Sequence, residues 1–206
     1  MTTGLSAADS RPGDAGETPL ELIRAARPGD TVVIGPSTAT GTAVVAAVED
    51  DGNCGQILRY AAAEARRRSA PLRVVHVWGA RGDARPGARG CPRMSDADRL
   101  LSAVLYDHLP PEVAAEAERE ILHDDDPVCA LRALSAAAAL LVVASRSRAA
   151  GAADPVGTTA RGLIGTTECP LAVVIPASFA PPVPAPRTGL HPVPARRGRD
   201  HSQEER

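Results

Sequence analysis

The sequence predicts an α/β protein built around a mostly parallel sheet. Two observations point to it. Continuous runs of β-branched and small apolar residues at Ala43 to Val48, Leu72 to Trp78, Ala139 to Ala144 and Leu171 to Ile175 mark strands buried on both faces. Segments with helical periodicity lie between them, and a strand–helix–strand order implies parallel crossovers. Length agrees: 206 residues, 44% of them apolar and 23% charged, suit one domain with extensions.

Residues 1–17 are rich in Gly, Ser, Thr, Asp and Pro and have no periodicity, so they are expected to be disordered. Leu20, Ile23 and Ala26 allow a short helix ending at Pro28-Gly29, and Thr31 to Ile34 allows a short strand. Together, residues 1–41 read as a largely disordered N-terminal extension. The domain proper is expected over 42–176, about 135 residues, enough to bury a sizeable core.

Within that domain, Asp50-Asp51-Gly52-Asn53 is a turn after the first strand. Ile57, Leu58, Ala61, Ala62 and Ala65 recur at helical spacing, and Arg66, Arg67 and Arg68 suit a helix C-terminus. Gly79 to Pro92 is a Gly/Pro/Arg loop, and Asp96 to Tyr106 is a helix. Val113 to His123 is ambiguous: Ala114 to Glu120 favours helix, while Ile121-Leu122 suits the end of a strand. Val128 to Ala137 is a helix, and another runs from Gly157-Thr158 to about Thr167. Residues 177–206 hold six prolines and five arginines without apolar periodicity, and read as a disordered, partly polyproline II tail.

Composition excludes several functions. All 23 basic residues are arginine, so there is no Walker-type or Schiff-base lysine. Tyr60, Trp78, Tyr106 and Phe179 are the only aromatics, too few for a single-strand stacking platform. A net charge of −2 argues against a nucleic-acid binder. Cys54, Cys91, Cys129 and Cys169 stand 37 to 40 residues apart, with no C-x-x-C pair, which suggests neither zinc nor a redox dithiol. No signal peptide or membrane span is expected, and the protein is read as cytoplasmic.

Several segments, taken in order, resemble the universal stress protein family. Val44 to Glu49 looks like its first strand, and Leu58-Arg59-Tyr60-Ala61 with Glu64-Ala65 like its first helix. Leu72 to Trp78 is similar to the second strand, Asp125-Asp126-Pro127 to the entry of the third helix, and Leu140 to Val143 to the fourth strand. Gly157-Thr158 through Glu168-Cys169-Pro170 to Val174 is similar to the last helix and strand. The resemblance spans about 42–176 and is weakest over 79–122. It implies a single doubly wound, mostly parallel five-stranded sheet, the universal stress protein / adenine-nucleotide α-hydrolase-like fold.

ATP-binding members of the family carry G-x2-G-x9-G-[ST]. Here that spacing reads Ala144-x2-Ser147-x9-Gly157-Thr158, so the third glycine and the hydroxyl remain while the first two glycines are lost. Glycines there let amides approach phosphates and supply positive φ. By resemblance the nucleotide would meet Ala47, Glu49, Val77, Val143, Ala144, Ser147, Gly157, Thr158 and Thr159. Arg146 and Arg148 could add positive charge near the phosphates. Each element also has a plainer reading. Gly157-Thr158 is equally a helix entry, Glu49 a solvated strand end, His76 a satisfied core histidine, and Asp124 to Asp126 a solvated loop rather than a metal site.

The resemblance therefore implies a non-enzymatic stress-response regulator with a degenerate site, in which ATP is weakly held or lost, with no catalytic or metal residues. It acts through protein partners and as a homodimer joined at the last strand, Leu171 to Ile175. A competent ATP-binding switch of the same fold is the alternative, and an ATP hydrolase a more remote one.

Overall fold

A computed structural model describes residues 17–49, 52–79, 94–146 and 156–177. The elements run α1 (Pro19–Ala25), β1 (Thr31–Ile34), β2 (Ala43–Ala47), α2 (Cys54–Arg68), β3 (Leu72–Trp78), α3 (Met94–His108), α4 (Pro111–Glu116), β4 (Glu118–His123), α5 (Pro127–Ser135), β5 (Ala138–Ala144), α6 (Thr158–Leu163) and β6 (Leu171–Val174). They build one sheet of six strands in the order β1-β6-β5-β2-β3-β4. Strands β2 to β6 run parallel, and β1 is antiparallel to β6.

The fold class is as expected, a doubly wound α/β sheet, with one correction: there are six strands, not five. Alternation along the central strands explains the two layers. Val44, Ala46, Val74, Leu140, Val142 and Ala172 pack against Ile57, Leu58 and Ala61 of α2 and Leu101 and Leu105 of α3. Their neighbours Ala43, Val45, Val75, Leu141, Val143 and Val173 pack against Ile23 of α1, Leu131 of α5 and Ala160 and Leu163 of α6. Strands buried on both faces need both sides apolar, hence the unbroken runs in the sequence.

Local signals set the ends. Thr18 and Glu21 form a reciprocal capping box at α1, with Glu21 Oε2 accepting from the Thr18 amide at 2.8 Å. Asp126 Oδ1 accepts from the Val128 amide at 3.0 Å and caps α5, and Asp124 Oδ1 accepts from the Asp126 amide at 2.8 Å. The acidic run thus serves the loop and the helix cap. The ambiguous 113–123 stretch contains both elements, α4 and then β4, with Ala117 as the hinge. Helix α6 ends at Leu163, short of Thr167, because the chain turns at Gly165 with φ +73°.

The N-terminal extension contains α1 and β1 docked on the domain. Residues 1–16, the 80–93 loop with Cys91, and the tail from 178 lie outside the described residues. The register Thr31↔Val174 through Ile34↔Leu171 places β1 on the outer side of β6. That edge was expected to receive a second copy; here it carries a strand of the same chain. Between β1 and β2, the chain passes the N-terminal ends of β6 and β5. Gly35 lies against Cys169 and Pro170, and Gly41 against Ala137 and Ala138.

Candidate functional site

From β2 the chain winds outward through β3 and β4, then returns to the other side of β2 as β5 and β6. The winding reverses between β2 and β5, and the crevice beyond their C-terminal ends is the place where α/β sheets bind ligands.

Two loops form its walls. After β2, Val48 bonds back to β3 through its amide to Val75 O at 2.9 Å. The Val48 carbonyl accepts from His76 Nδ1 at 3.0 Å, so His76 is a satisfied buried histidine that pins the strand exit. The next carbonyl, of Glu49, accepts from Cys54 Sγ at 2.6 Å, folding the turn onto the start of α2. After β5, the buried Ser145 amide donates to Val174 O at 2.8 Å, and its carbonyl accepts from the Gly157 amide at 2.7 Å. Asn53 Nδ2 joins the two walls by donating to Arg146 O at 3.2 Å.

The predicted site residues distribute unevenly over this crevice. Ala47 and Val77 are half-buried and pack toward the α5/α6 layer, leaving small apolar walls near the crevice. Val143 is 3% exposed and packs in the α5/α6 core layer. Ala144 is half-buried and packs into the opposite α2/α3 layer. Glu49 is exposed at the β2 exit, Thr158 is exposed and Thr159 half-buried on the first turn of α6. Ser147 lies outside the described residues.

Gly157 is held by packing. Its φ is −70°, which any residue adopts, but an added β-carbon would stand 3.2 Å from Arg146 Cα. Its amide is already committed to Ser145 O. The plain reading, a helix entry seated on the β5 exit, accounts for this glycine.

Sequence reasoning missed Asn53, Cys54 and Gln56. Asn53 precedes a helix and looks like a cap, yet it makes no side-chain cap bond and reaches Arg146 instead. The Gln56 carboxamide donates to Ile175 O at 3.1 Å and accepts from the Ala177 amide at 2.9 Å, tying α2 to the end of β6. Nothing local in the sequence signals either contact.

The sequence profile of the Universal stress protein family matches residues 42–174. The chain belongs to the universal stress protein family. UspA from Lactobacillus plantarum superposes with a TM-score of 0.51 at 16% identity, covering 66% of this chain and 99% of that one. A universal stress protein from Archaeoglobus fulgidus gives a TM-score of 0.48 at 24% identity, covering 65% and 93%. A structure of the universal stress protein from that organism in complex with dAMP gives 0.47 at 25%, covering 65% and 97%. No curated protein matches the sequence significantly. The family match of this universal stress protein begins one residue before β2, so α1 and β1 precede it.

Among the described residues, no helix is long and apolar enough to cross a membrane, and no group of three or more His, Cys, Asp or Glu is placed to hold a metal ion.

Proposed function

We propose that this universal stress protein is a non-enzymatic, cytoplasmic stress-response regulator that works through protein partners and holds ATP weakly or not at all. The observation that supports it most is the 2.7 Å bond from the Gly157 amide to Ser145 O. A phosphate-binding loop needs its amides free to point at oxygens. The amide of the one motif glycine kept here is spent on the chain itself. The two lost glycines add a β-carbon at Ala144 and a side chain at Ser147.

A competent nucleotide switch remains the second reading, favoured by the small apolar walls at Ala47 and Val77, which suit an adenine ring. Calorimetry with ATP, with and without Mg²⁺, tests the choice, together with acid extraction of any nucleotide that co-purifies. The first reading expects neither heat at micromolar concentrations nor extracted nucleotide. Micromolar or tighter binding overturns it in favour of the switch.

A further inference from the structure

The unit matched by the family profile holds β2 to β6, so taken alone its sheet would end at β6. That strand, Leu171-Ala172-Val173-Val174, is apolar throughout and buried along its whole length. An open edge of this composition is a template for pairing with another chain. In this protein β1 covers it.

The covering segment is specified at every step. The capping box at Thr18 and Glu21 starts α1, and Ile23, 1% exposed, seats that helix in the α5/α6 layer. Arg27-Pro28-Gly29-Asp30 then closes a turn through the Asp30 amide to Arg27 O at 3.0 Å. Pro at its second position and Gly29 at φ +95° suit a type II turn. Gly29 and Asp30 together face Ile175: the Gly29 amide donates to Ile175 O and the Ile175 amide to Asp30 O, both at 2.9 Å. Two residues opposite one, led by a positive-φ glycine, make a bulge that sets the register of β1.

The edges left after capping are poor templates. β1 offers four residues between that bulge and Gly35 at φ +99°. β4, at the far side, begins with Glu118, Arg119 and Glu120. Short and charged edges discourage pairing. The link from β1 to β2 also reaches within one chain. Crossing three strand positions takes roughly 14 Å, and residues 35–42 can extend to about 26 Å.

We propose that residues 18–34 are a cap held in cis, which closes the β6 edge and keeps this chain monomeric there. The cap takes the place that the family resemblance gave to a second copy.

Light scattering of the full chain should give a one-chain mass of 21.2 kDa as concentration rises. A dimer mass overturns the proposal. Ladder bonds alternate along an antiparallel pair, so the Val173 and Leu171 amides face β1 while those of Ala172 and Val174 face β5. Hydrogen exchange should find all four protected in the monomer; rapid exchange at 171 and 173 alone overturns the cap. Val33→Cys with Ala172→Cys, placed on a facing pair and with the native cysteines replaced by alanine, should form a disulfide inside one chain. A bridge between two chains, or none, overturns it. Val32→Pro removes an amide that faces β6 and should raise the mass to a dimer or higher; an unchanged monomer with amides 171 and 173 exposed overturns the assembly role. If that variant does not fold, the mass, exchange and disulfide results on the folded chains still decide.

Discussion

The Asn53 carboxamide and the Arg146 carbonyl meet at 3.2 Å across 93 positions of sequence, and this bond fastens the loop after β2 to the loop after β5. Asn53 is 6% exposed, so its donor has little access to water. Removing the side chain cuts the tie across the crevice. Asn53→Ala is expected to cost about 1–2 kcal/mol in urea denaturation. Asn53→Asp, which cannot donate to a carbonyl, is expected to cost at least as much. Full stability in both variants would show that the loops are held by other contacts.

Ala144→Gly combined with Ser147→Gly restores the glycine spacing of ATP-binding relatives. Removing the Ala144 β-carbon and the Ser147 side chain lets phosphate oxygens come closer to the backbone, and a gain of about tenfold in ATP affinity, about 1.4 kcal/mol, is expected by calorimetry. An unchanged affinity would assign the weak binding to the committed Gly157 amide and not to the missing glycines.

Thiol chemistry should separate the cysteines. Burial pushes the Cys169 thiol up to about 11, and the residue is fully enclosed. Cys54 is also buried and donates to Glu49 O, whereas Cys129 is exposed. Brief alkylation of the native protein near neutral pH should label Cys129 and spare Cys54 and Cys169, as read by peptide mass spectrometry. Because the folded thiol of Cys169 is raised, its contribution to stability is complete below the unfolded thiol value of about 8.5. That contribution fades as pH climbs toward 11.

Acid should weaken α2. Hydrogen bonding from Arg67, with help from Arg68, holds the Glu64 carboxyl below its ordinary value despite opposing desolvation. A lowered carboxylate stabilises the fold above the unfolded value and loses that contribution as pH falls through the folded one. Glu64→Gln should therefore flatten the acid limb of the stability profile. The Arg67 side chain is 65% exposed, so the effect is expected to stay below about 1 kcal/mol.

Two glycines should respond differently to alanine. A β-carbon on Gly41 would stand 2.1 Å from the Ala137 carbonyl carbon, a backbone atom that cannot turn aside. Gly41→Ala is expected to cost more than about 2 kcal/mol in thermal or urea unfolding. Gly165 has open space around it and only its φ of +73° to lose, so Gly165→Ala should cost about 1 kcal/mol. Equal costs would mean that the link between β1 and β2 is not tightly seated.

Four of the parallel strands were legible because a strand buried on both faces writes its burial into consecutive residues, as Val44 to Ala46 and Leu140 to Val143 do. The fifth parallel strand was harder to read. β4 is an edge with Glu118, Arg119 and Glu120 at its start, so its composition resembles a helix until the pairing with β3 is known. Thr31 to Ile34 was visible as a possible strand, but four residues do not state what they pair with.

The candidate site was legible only in outline. The spacing of Ala144, Ser147, Gly157 and Thr158, read by family resemblance, pointed to the segment between β5 and α6. It could not tell that Val143 is spent on the core, that the Gly157 amide is bonded to Ser145, or that Asn53 bridges the walls.

By itself, then, the sequence determined the α/β class and four of the five parallel strands, because periodicity and local turn chemistry are properties of neighbouring residues, and the resemblance of its ordered segments pointed to the family. The tertiary structure alone decided that β1 closes the β6 edge and that the crevice loops bond to one another. Those are contacts between segments far apart in the chain, formed only when the sheet brings their amides and carbonyls together.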